Sequence, residues 1–479
     1  MASITTVPAR VTGTRGRLAE EMDGVERGMS ARASLSFPSP LLLAALVAAA
    51  GVGVISGANP KIGVGVAFGL AFAALVLSNV TVGLCVLAFL SFLDVLPTFG
   101  ALSLAKIAGL LLAISWLATI TSRRDTPSLA REQPWIAAAL VAFAAWTALS
   151  FFWSASHADA VTSLFRYLPN LLLFPIAYSA IRERKHAFAI VMVLIGGAAL
   201  AAAAGVLSPP PNPGAFDPAR ATGTVGDANE LAAALVVGLF LSSAMLFDRA
   251  RPALLRMLCA CTAILCLGGI VLSLSRGGLV ALGFAAVVAV VVAGRWRAPM
   301  LAAAAAVCGS AIFYFVALAS LPARERVTEV GTGTGRTDLW TVGLRMVRSH
   351  PFDGVGVGNF QDASIHYLLQ PGLIHRADFI ITTPKIAHNT YLQAFAELGI
   401  PGGVLFLVIV GAGATCALQA ARIAANKGQI ELELLARGLF IGTAGFLAAS
   451  FFISENYSKL MWILLALGPA MLAIARRST

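Results

Sequence analysis

From residue 41 to its end the sequence is a succession of apolar runs. They number about fourteen, at roughly 17–21 residues each, the length a helix needs to cross a hydrocarbon core. They lie near 41–57, 62–78, 80–96, 102–121, 135–152, 164–181, 187–207, 229–247, 254–274, 277–294, 299–320, 397–419, 434–453 and 459–475. The first three are short, glycine-rich and barely separated. Composition agrees: hydrophobic residues make up 58% of the 479 and charged residues 12%, where a soluble chain carries about 25%. The expected fold is an all-α integral membrane protein of about 12–14 transmembrane helices.

The formal net charge is +11, from 34 Lys and Arg against 23 Asp and Glu. Most of these cations sit in short clusters between apolar runs, where the positive-inside rule accounts for them without a nucleic-acid partner. Cys85, Cys259, Cys261, Cys266, Cys308 and Cys416 all fall inside apolar runs, without the spacing of a zinc site, and read as small packing residues. Residues 1–40 are polar, with no apolar core near the start as a secretory signal would have, and read as a poorly ordered cytoplasmic tail.

Alternate connections share the basic residues. Arg123, Arg124 and Arg131 fall in one such connection, Arg182, Arg184 and Lys185 in the next, then Arg249, Arg251 and Arg256, then Arg295 and Arg297. Arg422, Lys427 and Arg437 follow, and Arg476 and Arg477 close the chain. That side is expected to be cytoplasmic, with both termini on it. The connections at 153–163, 208–228, 275–276, 321–388 and 454–458 then face outward.

The longest of these, 321–388, stands before the last three spans. Loops of that length are usually functional or disordered. This one holds Trp340, Phe352, Phe360, Tyr367 and Phe379, so it can bury apolar surface of its own. The expected division is a tail at 1–40, a helical bundle at 41–320, an extracytoplasmic, partly helical loop domain at 321–388 and C-terminal helices at 389–479. Within the loop, Arg336 to about Ser349 is expected to form an amphipathic helix, with Leu339, Val342, Met346 and Val347 on one face and Arg345 and Arg348 solvated. The alternating glycines of 354–358 lack the strand–turn–helix setting of a nucleotide fingerprint and read as a compact turn.

Arginines on the outward side are not explained by topology, and Arg166, Arg220, Arg276 and Arg336 all sit beside helix ends. Arg276 lies between two apolar runs with almost no loop, so its guanidinium is held at or just below the membrane surface, where an ionisable group is costly and a functional candidate. The alternative is an arginine snorkelling to lipid headgroups. Arg220 opens a glycine-bearing turn into the eighth run, beyond Pro209, Pro210, Pro211 and Pro213, and such a turn at a helix N-terminus can seat an anion. Asp227 or Asn229 could instead simply cap that helix. His388 precedes the twelfth run. A histidine there is commonly a capping or interfacial residue, yet it is the side chain best suited to take a proton near neutral pH. Glu397, about 14 Å along the same helix by its rise, is too far to orient it. No metal-ligating cluster and no cofactor motif is present, so cations would have to neutralise any leaving group.

Together these pieces resemble the bacterial O-antigen ligase and polysaccharide polymerase superfamily. The resemblance runs from about Arg220 to the C-terminus through Arg220-x-x-Gly223 with Asn229, then Ser275-Arg276-Gly277-Gly278 and Gly335-Arg336-x-x-x-Trp340. It continues through Pro351-x-x-Gly354-x-Gly356-x-Gly358-x-Phe360 and His388-Asn389-x-Tyr391 to Glu397-x-Gly399-Ile400-x-Gly402. It implies a metal-independent membrane glycosyltransferase of ligase type that takes a glycan from undecaprenyl diphosphate, on the periplasmic face of a bacterial inner membrane. The acceptor would be a hydroxyl of lipid A–core or of another glycan. By resemblance Arg220 and Arg276 would bind the diphosphate and His388 would be the general base. Arg336, Asn389 and Arg166 would support them. The chain departs from the family in carrying about eleven runs before the long loop. Two alternatives remain open: a polymerase using the same donor, and a transporter or flippase of anionic solutes. The latter would want ionisable residues near mid-bilayer, where these runs have almost none.

Overall fold

The computed structural model describes residues 49–51, 53, 54, 57, 60–95, 103–122, 127–207, 219–328, 335–370, 372, 374, 377–381 and 385–477. The tail at 1–40, most of run 41–57, Arg123, Arg124 and the prolines of 209–213 lie outside them, as does the Phe379 side chain. Contacts divide the chain into two units, residues 1–72 and 73–479. The described part of the first is helical, leading into α1 (Pro60–Ser78).

Among the described residues there is no strand. The second unit carries α2 (Val80–Leu90), α3 (Leu104–Ser122), α4 (Pro134–Leu149), α5 (His157–Leu171), α6 (Leu173–Ala180) and α7 (Arg184–Leu207). Then come α8 (Ala228–Leu246), α9 (Ala253–Leu272), α10 (Arg276–Val292) and α11 (Arg297–Phe313). The long loop carries α12 (Leu321–Thr328), α13 (Arg336–Ser349), α14 (Phe360–Leu368) and α15 (Ala377–Ile381). The chain closes with α16 (Thr390–Asn426), α17 (Ile430–Ala449) and α18 (Lys459–Arg477). Ten helical stretches among the described residues are long and apolar enough to cross a membrane, α5 and α6 counting as one. Three shorter apolar helices (Val66–Ser78, Val80–Leu90 and Arg276–Val292) stand beside these ten.

Burial sets the layout. Inside lie 89% of the apolar window of α18 and 78% of that of α17, against 6% for the Gly294–Leu318 stretch at the periphery. Lipid tails are as apolar as leucine, so helices associate in a membrane through close van der Waals packing, which small residues allow. At the α16–α18 crossing a Cβ on Gly468 would stand 1.9 Å from the Gly413 carbonyl oxygen, so these backbones meet only because both residues are glycine. Trp462 of α18 is fully buried and lies within 6.4 Å, ring centre to ring centre, of Phe143, Phe174 and Phe406.

The long loop is built into the bundle. Leu339, Val342 and Met346 of α13 are buried with Val355, Phe360, Ile380 and Ala387 in a core of the loop's own, which Ala396 of α16 completes and Val347 packs against. The expected amphipathic helix is therefore present. Arg345 is a correction to that expectation: it is buried, and its Nη1 donates to the Tyr367 carbonyl at 2.8 Å, tying α14 to α13. The glycine turn after α13 docks where α16 is broken at Gly399, which has φ 65°. Val355 N and Gly356 N donate to the Ala396 and Glu397 carbonyls, both at 2.9 Å, and Ile400 N donates to the Pro351 carbonyl at 2.7 Å. Gly356, at φ 93°, has no room for a Cβ, which would fall 2.1 Å from Ser154 Oγ. The buried Glu397 carboxylate closes the joint, accepting from Gly358 N and Gln393 Nε2, each at 2.9 Å. Glu397 is thus a clasp between loop and helix, with bonds that do not involve His388.

Candidate functional site

Two helix starts and the turns before them build the centre of the site. Asp227 caps α8, its side chain accepting from Asn229 N at 2.7 Å and Glu230 N at 3.0 Å. Asn229 is thereby released from capping. Its Oδ1 accepts from Arg220 Nη2 and from Ser275 Oγ, both at 2.9 Å. Arg220 Nε donates to the Ser273 carbonyl at 2.9 Å, and Ala221 N to the Leu272 carbonyl at 3.0 Å. The turn opened by Arg220 is thus bolted to the turn between α9 and α10. That second turn is tight: Leu274 takes a left-handed φ of 50°, an uncommon conformation for a branched side chain. Ser275 caps α10 through Gly278 N at 3.1 Å, so Arg276 is the first residue of the helix, half-buried beside the amides of Gly277 and Gly278. Helix N-termini favour anions through free N–H groups and the helix dipole.

The long loop brings a third arginine to this place. Arg336 begins α13, half-buried, within electrostatic reach of Asp227, Arg276 and Arg326. Burial pushes its pKa below the ordinary arginine value; Asp227 opposes that, while Arg276 and Arg326 add to it. A guanidinium stays charged even so, and like-charged neighbours are what a seat for a polyanion requires.

His388 stands just ahead of α16 with a left-handed φ of 47°. Asn389 sets it there, capping α16 through Tyr391 N at 3.1 Å and Leu392 N at 3.0 Å. Thr390 latches the helix start to the α17–α18 turn, its N–H donating to the carbonyls of Ser450 at 2.9 Å and Ile453 at 3.0 Å. Burial lowers the His388 pKa to about 4; Arg336 and Lys385 add to that, and Asp227 opposes it. The imidazole is therefore neutral at physiological pH, with a lone pair to accept a proton.

Arg220, Arg276, Arg336 and His388 thus meet at one end of the bundle, with Asn389 positioning the histidine. Arg166 stands apart. It is exposed on α5, its guanidinium 5.6 Å from the centre of the Tyr457 ring. Sequence reasoning missed Arg326, Lys385 and the second task of Asp227, which faces Arg336 and His388 while it caps. It also missed Glu455, buried in the α17–α18 turn and pushed up to about 8, first by burial and next by the nearby Glu230. A carboxylate in so short a turn between two apolar runs was the available signal. Among the described residues no group of three or more His, Cys, Asp or Glu could hold a metal ion.

Residues 261–407 match a family model described as O-antigen ligase. No curated protein matches the chain. The matched window contains Arg276, Arg336 and His388 and begins after Arg220. Over that window the match supports a likeness to O-antigen ligases, in a chain whose helices suit a multi-pass membrane bundle.

Proposed function

We propose that this chain, through its O-antigen ligase domain at residues 261–407, transfers a glycan from undecaprenyl diphosphate to a hydroxyl of lipid A–core or a similar acceptor. The observation that carries the reading is the shared electrostatic neighbourhood of Arg276, Arg336, Asp227 and His388, next to the turn that holds Arg220. Arg220 and Arg276 bind the diphosphate oxygens, and Arg336 adds charge from the loop side. The acceptor oxygen attacks the anomeric carbon and His388 takes its proton as general base. The bond from that carbon to the diphosphate oxygen breaks, and the electron pair leaves on undecaprenyl diphosphate, whose growing charge the guanidiniums stabilise. Asn389 positions the base. Arg166, on the flank, contacts the glycan.

Binding and chemistry are coupled in this scheme. Burial first, and then the same arginine field that attracts the diphosphate, keeps the empty-site imidazole neutral. An arriving anion offsets that field and raises the proton affinity of His388 toward the range where a base works well. The positive-inside rule supports reading the end that carries the basic connections as cytoplasmic, with the site opening to the periplasm of a bacterial inner membrane.

The test is transfer by the purified protein, given an undecaprenyl-diphosphate-linked glycan with lipid A–core or with no added acceptor. Product on lipid A–core is expected. Longer glycans without added acceptor would assign a polymerase using the same donor. Absence of transfer in both arms would overturn the transferase reading in favour of anion transport.

A further inference from the structure

The long loop carries a concavity that the cation cluster does not use. It encloses about 600 Å³ where the loop meets the end of α4, and Trp153, His350, Asp353, Asp362, Tyr367 and Gln370 line it. Ser349, the last residue of α13, borders it, while Arg336 at the other end of that helix belongs to the cation cluster. The 14 residues of α13 put about 20 Å between the two places, at about 1.5 Å of rise per residue. A molecule anchored by its diphosphate reaches the cleft only through several linked sugar rings.

The walls are held in place before any ligand arrives. Trp153 Nε1 donates to the Asp353 carbonyl at 2.9 Å, and its ring lies 5.7 Å from that of Trp146. The Tyr367 carbonyl is fixed by the buried Arg345, and its ring stands edge-on to His350 at 6.5 Å. His350 Nδ1 lies 3.5 Å from Asp353 Oδ2. Exposed or half-exposed carboxylates at Asp353 and Asp362 and the Gln370 amide complete the rim. A pyranose ring offers an apolar C–H face and a border of hydroxyl donors. Aromatic walls match the first, and carboxylate and amide oxygens accept from the second. The volume lies within the range of small-molecule sites.

We propose that this cleft is a saccharide subsite, holding the sugar rings of a glycan that lie away from its reacting end; the proposal rests on the glycan-transfer reading above. It gives the long loop a role in substrate choice, separate from the chemistry at its two ends. The glycan belongs to the donor or to the acceptor, and the test separates them.

Saturation-transfer NMR on the full-length protein would use two carrier-free probes, a delipidated core oligosaccharide and a released O-antigen repeat oligosaccharide. At least one is expected to bind, with a dissociation constant raised about tenfold or more by Tyr367→Ala and by Asp362→Asn. Gln370→Ala is the alternative should either variant fold poorly. Arg276→Ala should leave this binding alone, since the probes carry no diphosphate. The core oligosaccharide binding assigns the cleft to the acceptor, and the repeat oligosaccharide assigns it to the donor. Binding that the cleft variants weaken supports the subsite even if transfer itself is never observed. Absence of binding by either probe, or equal affinity in parent and variants, overturns the subsite while leaving a transfer activity intact.

Discussion

The two ends of the bundle set arginine in different surroundings. At the end where α8, α10 and α18 finish, arginines meet carboxylates. Arg251 pairs with Asp248 and Glu431, Arg295 and Arg437 with the fully buried Glu433, and Arg477 with Glu132 at 2.5 Å. At the end where those helices begin, the bonds described for Arg220 run to neutral oxygens, and Arg336 faces two further guanidiniums besides Asp227. Charge neutralised by carboxylates fixes structure and topology. Cations gathered with others of the same sign cost free energy and persist where an anion must be held. On the proposed function, the difference separates arginines that only build the bundle from those that also hold the donor.

The sharpest way to break this comparison is to remove one arginine from each end. Arg276→Ala should lower transfer by at least about a hundredfold, the usual effect of deleting a group that stabilises developing charge, with the melting temperature in detergent little changed. Arg437→Ala should do the reverse. It strips one of two arginines from a carboxylate with no exposure, so thermal stability should fall while the correctly folded fraction keeps its turnover. Equal behaviour of the two variants would erase the distinction.

A smaller effect sharpens the claim that the cation cluster tunes His388. The base is lost as pH falls through its pKa, so the acid limb of kcat/KM, which reports the free enzyme, should centre near pH 4. Below it the rate falls by about tenfold per pH unit. With the anionic donor bound the imidazolium is favoured, so the limb of kcat should lie at higher pH. Coincident limbs in a pH–rate profile would show that the diphosphate does not reach the field around the histidine. The mildest change is Asn389→Ala. Losing an N-cap costs about 1 kcal/mol, and the expected result is a several-fold drop in kcat with KM held, because His388 loses its fixed backbone rather than a contact with substrate.

The contrast also marks what the sequence can carry. Apolar run length is a one-dimensional signal, and each run from 62–78 onward contains helix, though 80–96 is helical only as far as Leu90. Arg276 was legible for the same reason: a charge between two spans with no loop has nowhere else to go. Asp227 and Asn229 were equally good caps on paper. Only the approach of Ser275 and Arg220 divides their tasks, and that approach joins segments about fifty residues apart. Arg345 was misread as solvated because sequence shows its charge but not the carbonyls of Tyr367 and Leu368 that wait for it. Arg326 and Lys385 were invisible because their significance lies wholly in what folds against them.

The most direct test of the mechanism separates anchoring from chemistry in one variant. Undecaprenyl diphosphate binding and glycan transfer would both be measured for His388→Gln. Binding is expected within about twofold of the parent, since the guanidiniums are untouched, and transfer lower by at least about a hundredfold, as loss of a general base commonly gives. Transfer near the parental rate would contradict the assignment of His388 as the base.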